Sequence, residues 1–142
     1  MRLTTIRRIG CLVVWSLLAL PLVAGAQGGR SARFKLDPVG IQAALDTYRQ
    51  AIEAKDLELL RRIRPGLSVA EIERFEQAFD QVDALQVTLT IQSMAANGDA
   101  ALVKGLRQDR FFLKDGTTLN NEAPFTYTLK ETPDGWVIVS SR

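Results

Sequence analysis

Apolar residues along the first half of the chain recur at the spacing of one helix face. Behind Asp37 and Pro38, which suit the cap and the first turn of a helix, the apolar positions step by four, three and four residues. They are Ile41, Leu45, Tyr48 and Ile52. The pattern predicts a first amphipathic helix that begins at this cap.

Two shorter helical patterns follow. The stretch DLELLRRIRPG (56–66) places apolar residues on one face and ends at Pro65, which cannot continue a helix. Ser68 and Glu71 then have the spacing of a capping box, in which each side chain bonds a backbone N–H of the other residue. The expected buried stripe of the third helix consists of Val69, Ile72, Phe75 and Phe79.

The period changes from helical to alternating at residue 84. In ALQVTLTIQ (84–92), apolar and polar residues alternate, which is typical of a half-buried β-strand. Three more strands are predicted in ALVKGLRQDRFFLK, FTYTLKE and WVIVSS, with connections at ANGDA, DGTTLNNEAP and TPDG. Gly105 interrupts the alternation of the second strand, which predicts a bulge or bend at that point.

Residues 1–26 have the features of a signal peptide. A head that contains Arg2, Arg7 and Arg8 precedes an apolar run of about a dozen residues, and small residues lie just before a cleavage point after Ala26. The apolar run is shorter than the ~20 residues of a membrane-spanning helix, which favours cleavage over an uncleaved membrane anchor. We therefore expect an exported protein, periplasmic or secreted, with no membrane attachment after cleavage.

The remaining chain is long enough for one domain and too short for two. We expect a flexible leader at 27–36 and a single domain at 37–142. The order of the patterns predicts an α+β fold, with three N-terminal helices packed in a strongly curved four-stranded antiparallel sheet. Trp136, at the start of the last strand, is expected to pack against the sheet or under a helix, because an unpaired apolar edge would favour aggregation.

Composition excludes several classes of site. The chain has no histidine and a single cysteine, Cys11, which lies in the predicted signal peptide. The mature domain therefore has no disulfide, no Cys/His zinc site and no histidine base, and neither a metal nor another cofactor is expected. Cleavage removes three of the 18 Lys and Arg residues and leaves all 16 Asp and Glu, so the net charge is near −1. Such a charge argues against nucleic acid as a partner.

Two segments carry a resemblance to a known family. They are YRQAIEAKD (48–56) in the first helix and GWVI (135–138) in the last strand. With the curled sheet between them, they make residues 37–141 resemble the nuclear transport factor 2-like superfamily, which includes SnoaL-like and ketosteroid-isomerase-like proteins. The resemblance implies a cone, in which a bent sheet wraps the first helix and leaves a pocket at its open end.

The same resemblance bears on catalysis. Enzymes of the superfamily use a carboxylate base with tyrosine donors, or a histidine–aspartate pair. The second arrangement is absent because the chain has no histidine. No aspartate of this sequence matches a motif position of the first arrangement, so the resemblance transfers no catalytic residue.

Three aromatic residues are candidates for ligand binding, because the predicted elements direct them toward the cone or its rim. They are Tyr48, Phe111 and Tyr127. In a catalytic alternative, Asp109 is a buried general base and one of the two tyrosines donates to a developing oxyanion. In the competing structural interpretation, the tyrosines are core aromatics, and Asp109 faces water beside Arg107 or Arg110.

Other polar groups also have two interpretations. The RRIR stretch (61–64) is either an anion-binding patch or a set of cations on a solvated face, where the helix C-terminus favours positive charge. Asp46 and Asp56 are further acids that border the first helix. The polar face of the first strand either lines a cavity or pairs with a second subunit, which predicts a homodimer through the outer sheet face. That polar face consists of Thr88, Thr90 and Gln92.

The leading interpretation is an exported, non-catalytic domain. Its ligand would be a small apolar molecule in the cone, or another protein on the outer sheet face. The alternative is an isomerase, dehydratase or cyclase that uses a pocket carboxylate and a tyrosine. A carboxylate and a tyrosine hydroxyl that share an enclosed pocket would favour the enzyme.

Overall fold

The computed structural model of the protein describes residues 35–142, in which three helices precede four strands. The predicted signal peptide and leader residues 27–34 lie outside the described residues. Within residues 35–142, no helix is long and apolar enough to cross a membrane. The elements are α1 (Pro38–Glu53), α2 (Leu57–Ile63), α3 (Val69–Gln81), β1 (Val82–Asn97), β2 (Ala100–Leu113), β3 (Thr118–Thr132) and β4 (Gly135–Ser141).

The helices α1 and α3 begin at the caps that the sequence predicts. The Asp37 carboxylate accepts a hydrogen bond from the backbone N–H of Gly40 at 3.1 Å, and Pro38 takes the first helical position of α1. Both bonds of the Ser68–Glu71 capping box are present at the start of α3. The capping predictions are therefore confirmed.

The predicted buried stripe of α3 is wrong at its first residue. Val69 is 73% exposed, whereas Phe79 is fully buried and Phe75 is half-buried. The helix meets the core mainly at its C-terminal end, where Phe79 lies. The spacing of apolar residues therefore predicted the face of α3 that packs on the core. It did not predict that the N-terminal end of this face is exposed.

The four strands form one antiparallel sheet in the order β1-β2-β3-β4, which confirms the predicted α+β meander. β3 begins earlier than expected, because residues 118–124 pair with β2 and are not part of a hairpin loop. Pro124 obscured this extension, since proline is unusual inside a strand. Pro124 lies in a part of β3 that does not pair with β4. No hydrogen bond to β4 is therefore lost through its missing N–H.

The irregularity predicted at Gly105 is found on the neighbouring strand β1. The register shifts on β1 between Ile91 and Ser93, directly opposite Gly105 of β2. A Cβ atom on Gly105 would overlap the carbonyl oxygen of Thr90 and lie 2.9 Å from the ring of Phe125. The glycine is required because β1 and a core aromatic both approach its backbone closely. Bulges of this kind increase local twist, which long strands need in order to curl.

The concave side of the sheet packs on α1. Ile41, Leu45 and Ile52 are each at most 1% exposed and share one core with residues of all four strands. Trp136 is 5% exposed, and its indole N–H donates to the Asp37 carboxylate at 3.4 Å. The last strand is thereby joined to the start of α1, as expected. The arrangement of helices and sheet is that of the cone fold.

Candidate functional site

A charged network lies inside the sheet, beside α1. The Nε of Arg107 donates to both carboxylate oxygens of Asp109, at 2.8 and 2.9 Å. The Nη1 of the same guanidinium donates to the Tyr48 hydroxyl at 3.0 Å. The Tyr127 ring meets the Tyr48 ring edge to face, with centroids 5.7 Å apart. Arg107 is therefore the centre of a cluster that joins β2, β3 and α1.

Strand alternation explains why these charges point inward. Along β2, every second residue faces away from the solvent-exposed side of the sheet. These residues are Ala101, Val103, Gly105, Arg107, Asp109 and Phe111. The first three of these are buried in the core, so the next two face the same side. Because an isolated charge inside a protein is costly, the two side chains neutralise each other as an ion pair at i and i+2.

The network changes two pKa values. Burial alone lowers the pKa of Arg107, but Tyr48, Tyr127 and Asp109 together outweigh it, and the pKa lies above its usual value. Burial and the neighbouring Tyr48 raise the pKa of Tyr127 to about 12, although Arg107 opposes the shift. At neutral pH the site therefore holds a permanent guanidinium cation and a neutral phenol.

A second arginine reaches the same place from α2. Pro65 restricts the preceding residue to extended conformations, and Arg64 accordingly has φ −126° and ψ 74°. Its side chain leaves the helix axis, donates to the Ser141 hydroxyl of β4 at 2.9 Å and lies 3.5 Å from the Glu71 carboxylate. The guanidinium carbons of Arg64 and Arg107 each lie 5.8 Å from the centroid of the Tyr48 ring.

Two adjoining clefts open at this point, and both are lined by Arg64, Phe75 and Arg107. We refer to them together as the aromatic cleft. One has a volume of about 320 Å³, and its other lining residues include Ile52, Phe79, Leu85 and Phe111. The other has a volume of about 300 Å³, and its other lining residues include Tyr48, Phe125, Tyr127 and Ser141. Both parts of the cleft thus combine apolar and aromatic walls with the same two cations, Arg64 and Arg107.

The structure brings the three predicted aromatic residues together around this cleft. Tyr48 and Tyr127 line one part of it, and Phe111 lines the other. Both tyrosines are almost fully buried, at 1% and 4% exposure, so they are also core residues. The two interpretations of these tyrosines are therefore compatible, because both residues are buried in the core and also line the cleft.

The expectation that Asp109 faces water is wrong. Asp109 is 6% exposed, because strand alternation turns it toward the concave side and the Arg107 guanidinium covers it. It does not line the aromatic cleft, whereas Arg107 does. The cation of the pair is thus presented to the cleft, and the carboxylate is not.

The other acidic candidates have local structural roles. Asp56 caps α2 by accepting from the N–H of Leu59 at 2.9 Å, and Asp46 accepts from the Gln42 amide at 3.3 Å. Within residues 35–142, no three acidic side chains come close enough together to bind a metal ion.

The sequence pattern did not indicate Arg107 as a site residue, and it did not distinguish Arg64 from the other two arginines of the RRIR stretch. Arg64 was grouped with Arg61 and Arg62, yet these two are exposed and only Arg64 enters the cleft. The signal was available in the proline that follows Arg64, which predicts a departure from the helix. For Arg107, the signal was an Arg-x-Asp pair on the inward face of a strand.

Solved structures with this fold come from several bacteria. A conserved protein from Planctomyces limnophilus has 12% identity and a TM-score of 0.64, over 72% of this chain and 90% of that one. A candidate dehydratase of the NTF2-like family from Streptomyces avermitilis has 18% identity and a TM-score of 0.60, over 72% and 92%. An NTF2-like superfamily protein from Salmonella enterica has 17% identity and a TM-score of 0.60, over 72% and 85%.

At these identities the similarity shows the fold alone. No curated protein matches the chain in sequence. A model of the SnoaL-like domain matches residues 41–142, which comprise α1 from its fourth residue and every later element. The chain therefore belongs to the SnoaL-like domain family, with the NTF2-like fold.

Proposed function

We propose that this domain binds a small, largely apolar molecule in the aromatic cleft and does not catalyse a reaction. The observation that carries the proposal is the half-buried aromatic lining of the cleft. Phe75 and Phe111 remain partly exposed at its mouth, although most other aromatic side chains of the domain are buried. Apolar walls with a few convergent polar groups are typical of small-molecule sites.

The geometry of Asp109 argues against catalysis. A general base needs a carboxylate oxygen within hydrogen-bond reach of the substrate. Both oxygens of Asp109 accept from Arg107, and Asp109 does not line the cleft. This arrangement supports a binding site over one that uses the Asp109 carboxylate as a base.

Two neighbouring phenylalanines provide a matched test of binding. Phe111 faces the aromatic cleft, whereas Phe112 is similarly half-buried on the outer face of the same strand. We expect a neutral apolar dye to bind the purified residues 27–142, and Phe111→Ala to weaken binding while Phe112→Ala does not. Native mass spectrometry of the same sample would reveal any molecule that copurifies. Equal dye binding by the two variants would contradict the proposed site.

An isomerase, dehydratase or cyclase is the second candidate. The observation that favours it is that Tyr48 and Asp109 bond to the same guanidinium and so lie close together. Under this alternative, Asp109→Asn abolishes turnover of a ketone or hydroxy-ketone substrate while the variant still binds that substrate. Under the binding proposal, no turnover is found in either protein.

We further propose that the domain is exported and self-associates. Export is supported by the signal-peptide features of residues 1–26, and N-terminal sequencing of protein from the culture medium or periplasm tests it. Self-association is supported by the polar outer sheet face, where Gln108 donates to Glu122 at 2.6 Å and Arg110 to Asn120 at 3.2 Å. A monomer in native mass spectrometry would contradict the homodimer.

A further inference from the structure

We infer that the ligand of the aromatic cleft is an organic acid, whose carboxylate binds between Arg64 and Arg107 while its apolar body lies against Phe75 and Phe111. This inference rests on the proposed binding function and adds the chemical class of the ligand. It starts from the RRIR stretch, which the structure divides into two solvated arginines and one that enters the cleft.

Arg64 has hydrogen-bond donors available for a ligand. A guanidinium carries five N–H donors. Among residues 35–142, the polar contacts of Arg64 all use Nη2, which meets Ser141 at 2.9 Å and Glu71 at 3.5 Å. The Nε and Nη1 groups make no hydrogen bond within that part of the chain. The Arg64 side chain is 12% exposed, and no buried side-chain donor of residues 35–142 lacks a hydrogen-bond partner, so the Nε and Nη1 groups are accessible to solvent and to a ligand.

The two guanidinium groups face the same two clefts. Each carbon lies 5.8 Å from the same Tyr48 ring centroid, so the two carbons are separated by no more than twice that distance. Arg107 is neutralised by Asp109, which does not line either cleft. The planar guanidinium fork matches the geometry of a carboxylate.

Positive charge is concentrated at the cleft, although the domain as a whole is acidic. The lining of the two clefts contains four arginines and one acid, which are Arg64, Arg74, Arg107, Arg142 and Glu71. The chain after residue 26, in contrast, has 15 basic and 16 acidic residues, because three of the 18 basic residues precede it. A cluster of one sign inside a concave surface raises the local concentration of oppositely charged ligands. Such a lining favours an anionic ligand over a neutral one.

The test compares an acid with its neutral analogue. Naphthoate and naphthamide have the same aromatic body and differ in charge, and calorimetry measures their affinities for residues 27–142. We expect naphthoate to bind at least tenfold more tightly than naphthamide. Arg64→Gln should weaken naphthoate binding by roughly ten- to a hundredfold, since a hydrogen bond to a charged group is lost. Arg64→Lys should retain part of the affinity, because it keeps the charge without the fork.

Controls separate this inference from general binding. Arg61→Gln removes the same charge from an exposed position of α2 and should leave both affinities unchanged. The affinity of naphthamide for Arg64→Gln shows whether that variant retains an intact cleft. Equal binding of the two probes would overturn the acid inference and leave the binding proposal standing. If Arg61→Gln weakened naphthoate as much as Arg64→Gln, the specific site would be refuted. If neither probe bound, both proposals would fail.

Discussion

Substitution of Asp109 by Asn would show what this carboxylate does. The change keeps the shape of the side chain but removes its charge, so the Arg107 cation loses its partner in a site where Asp109 is 6% exposed. Removal of one member of a fully buried pair costs about 3–5 kcal/mol. The Arg107 side chain is 21% exposed, which allows partial hydration. We therefore expect a loss of roughly 2–3 kcal/mol in the free energy of unfolding.

Urea unfolding of residues 27–142 measures this loss. Of the two tryptophans of the chain, Trp15 lies in the predicted signal peptide, so the fluorescence of this fragment reports the buried Trp136. With a slope of about 1–3 kcal/mol per molar urea, the midpoint should fall by roughly 1–2 M. Asp99→Asn is the matched control, because its ion pair with Lys130 has a distance of 3.1 Å but is exposed. This control should leave the midpoint unchanged.

A double substitution separates the ion pair from other effects. Arg107→Met combined with Asp109→Asn removes both charges, so no uncompensated charge remains. We expect the double variant to lose less stability than the sum of the two single variants. If Asp109→Asn unfolded at the same urea concentration as the unsubstituted protein, the ion pair would not stabilise the fold. The carboxylate would then be free to serve as a base, and the enzyme alternative would gain support.

Three further predictions concern the sheet and the titrating groups. Gly105→Ala should destabilise the domain by about 1–3 kcal/mol in the same assay, because the added methyl group overlaps the neighbouring strand, whereas Gly66→Ala meets no atom closer than 3.6 Å and should be neutral. The raised pKa of Tyr127 means that its contribution to stability is complete below pH 10 and is lost as the pH rises toward about 12. Tyr127→Phe should therefore reduce the alkaline destabilisation, and equal pH curves would contradict this. Hydrogen bonds from the backbone and side chain of Ser68 lower the pKa of Glu71, so their contribution is present above pH 4.5 and is lost as the pH falls. Ser68→Ala should weaken this acid dependence in circular dichroism melts.

Local rules were sufficient for much of the fold. The caps at Asp37 and Ser68 act through bonds within one helical turn, so the residue types at fixed spacing identified both helix starts. The alternation of apolar and polar residues in β1 reflects which face of the strand packs on the core. The same kind of pattern correctly identified the later segments as strands. The extension of β3 through Pro124 was missed, because tolerance of a proline depends on whether the neighbouring strand requires an N–H at that position.

The sequence by itself determined the element order, the burial of Trp136 and the absence of histidine chemistry, since these depend on short-range pattern or on composition alone. Only the tertiary structure decided which charges face inward. Arg64 and Arg107 are separated along the chain by α3, β1 and the first half of β2, and they share one cleft because the sheet curls around α1. The charge of an arginine is visible in a sequence, but its environment is set by residues distant in the chain, and that environment decides whether it is solvated or forms part of a binding site.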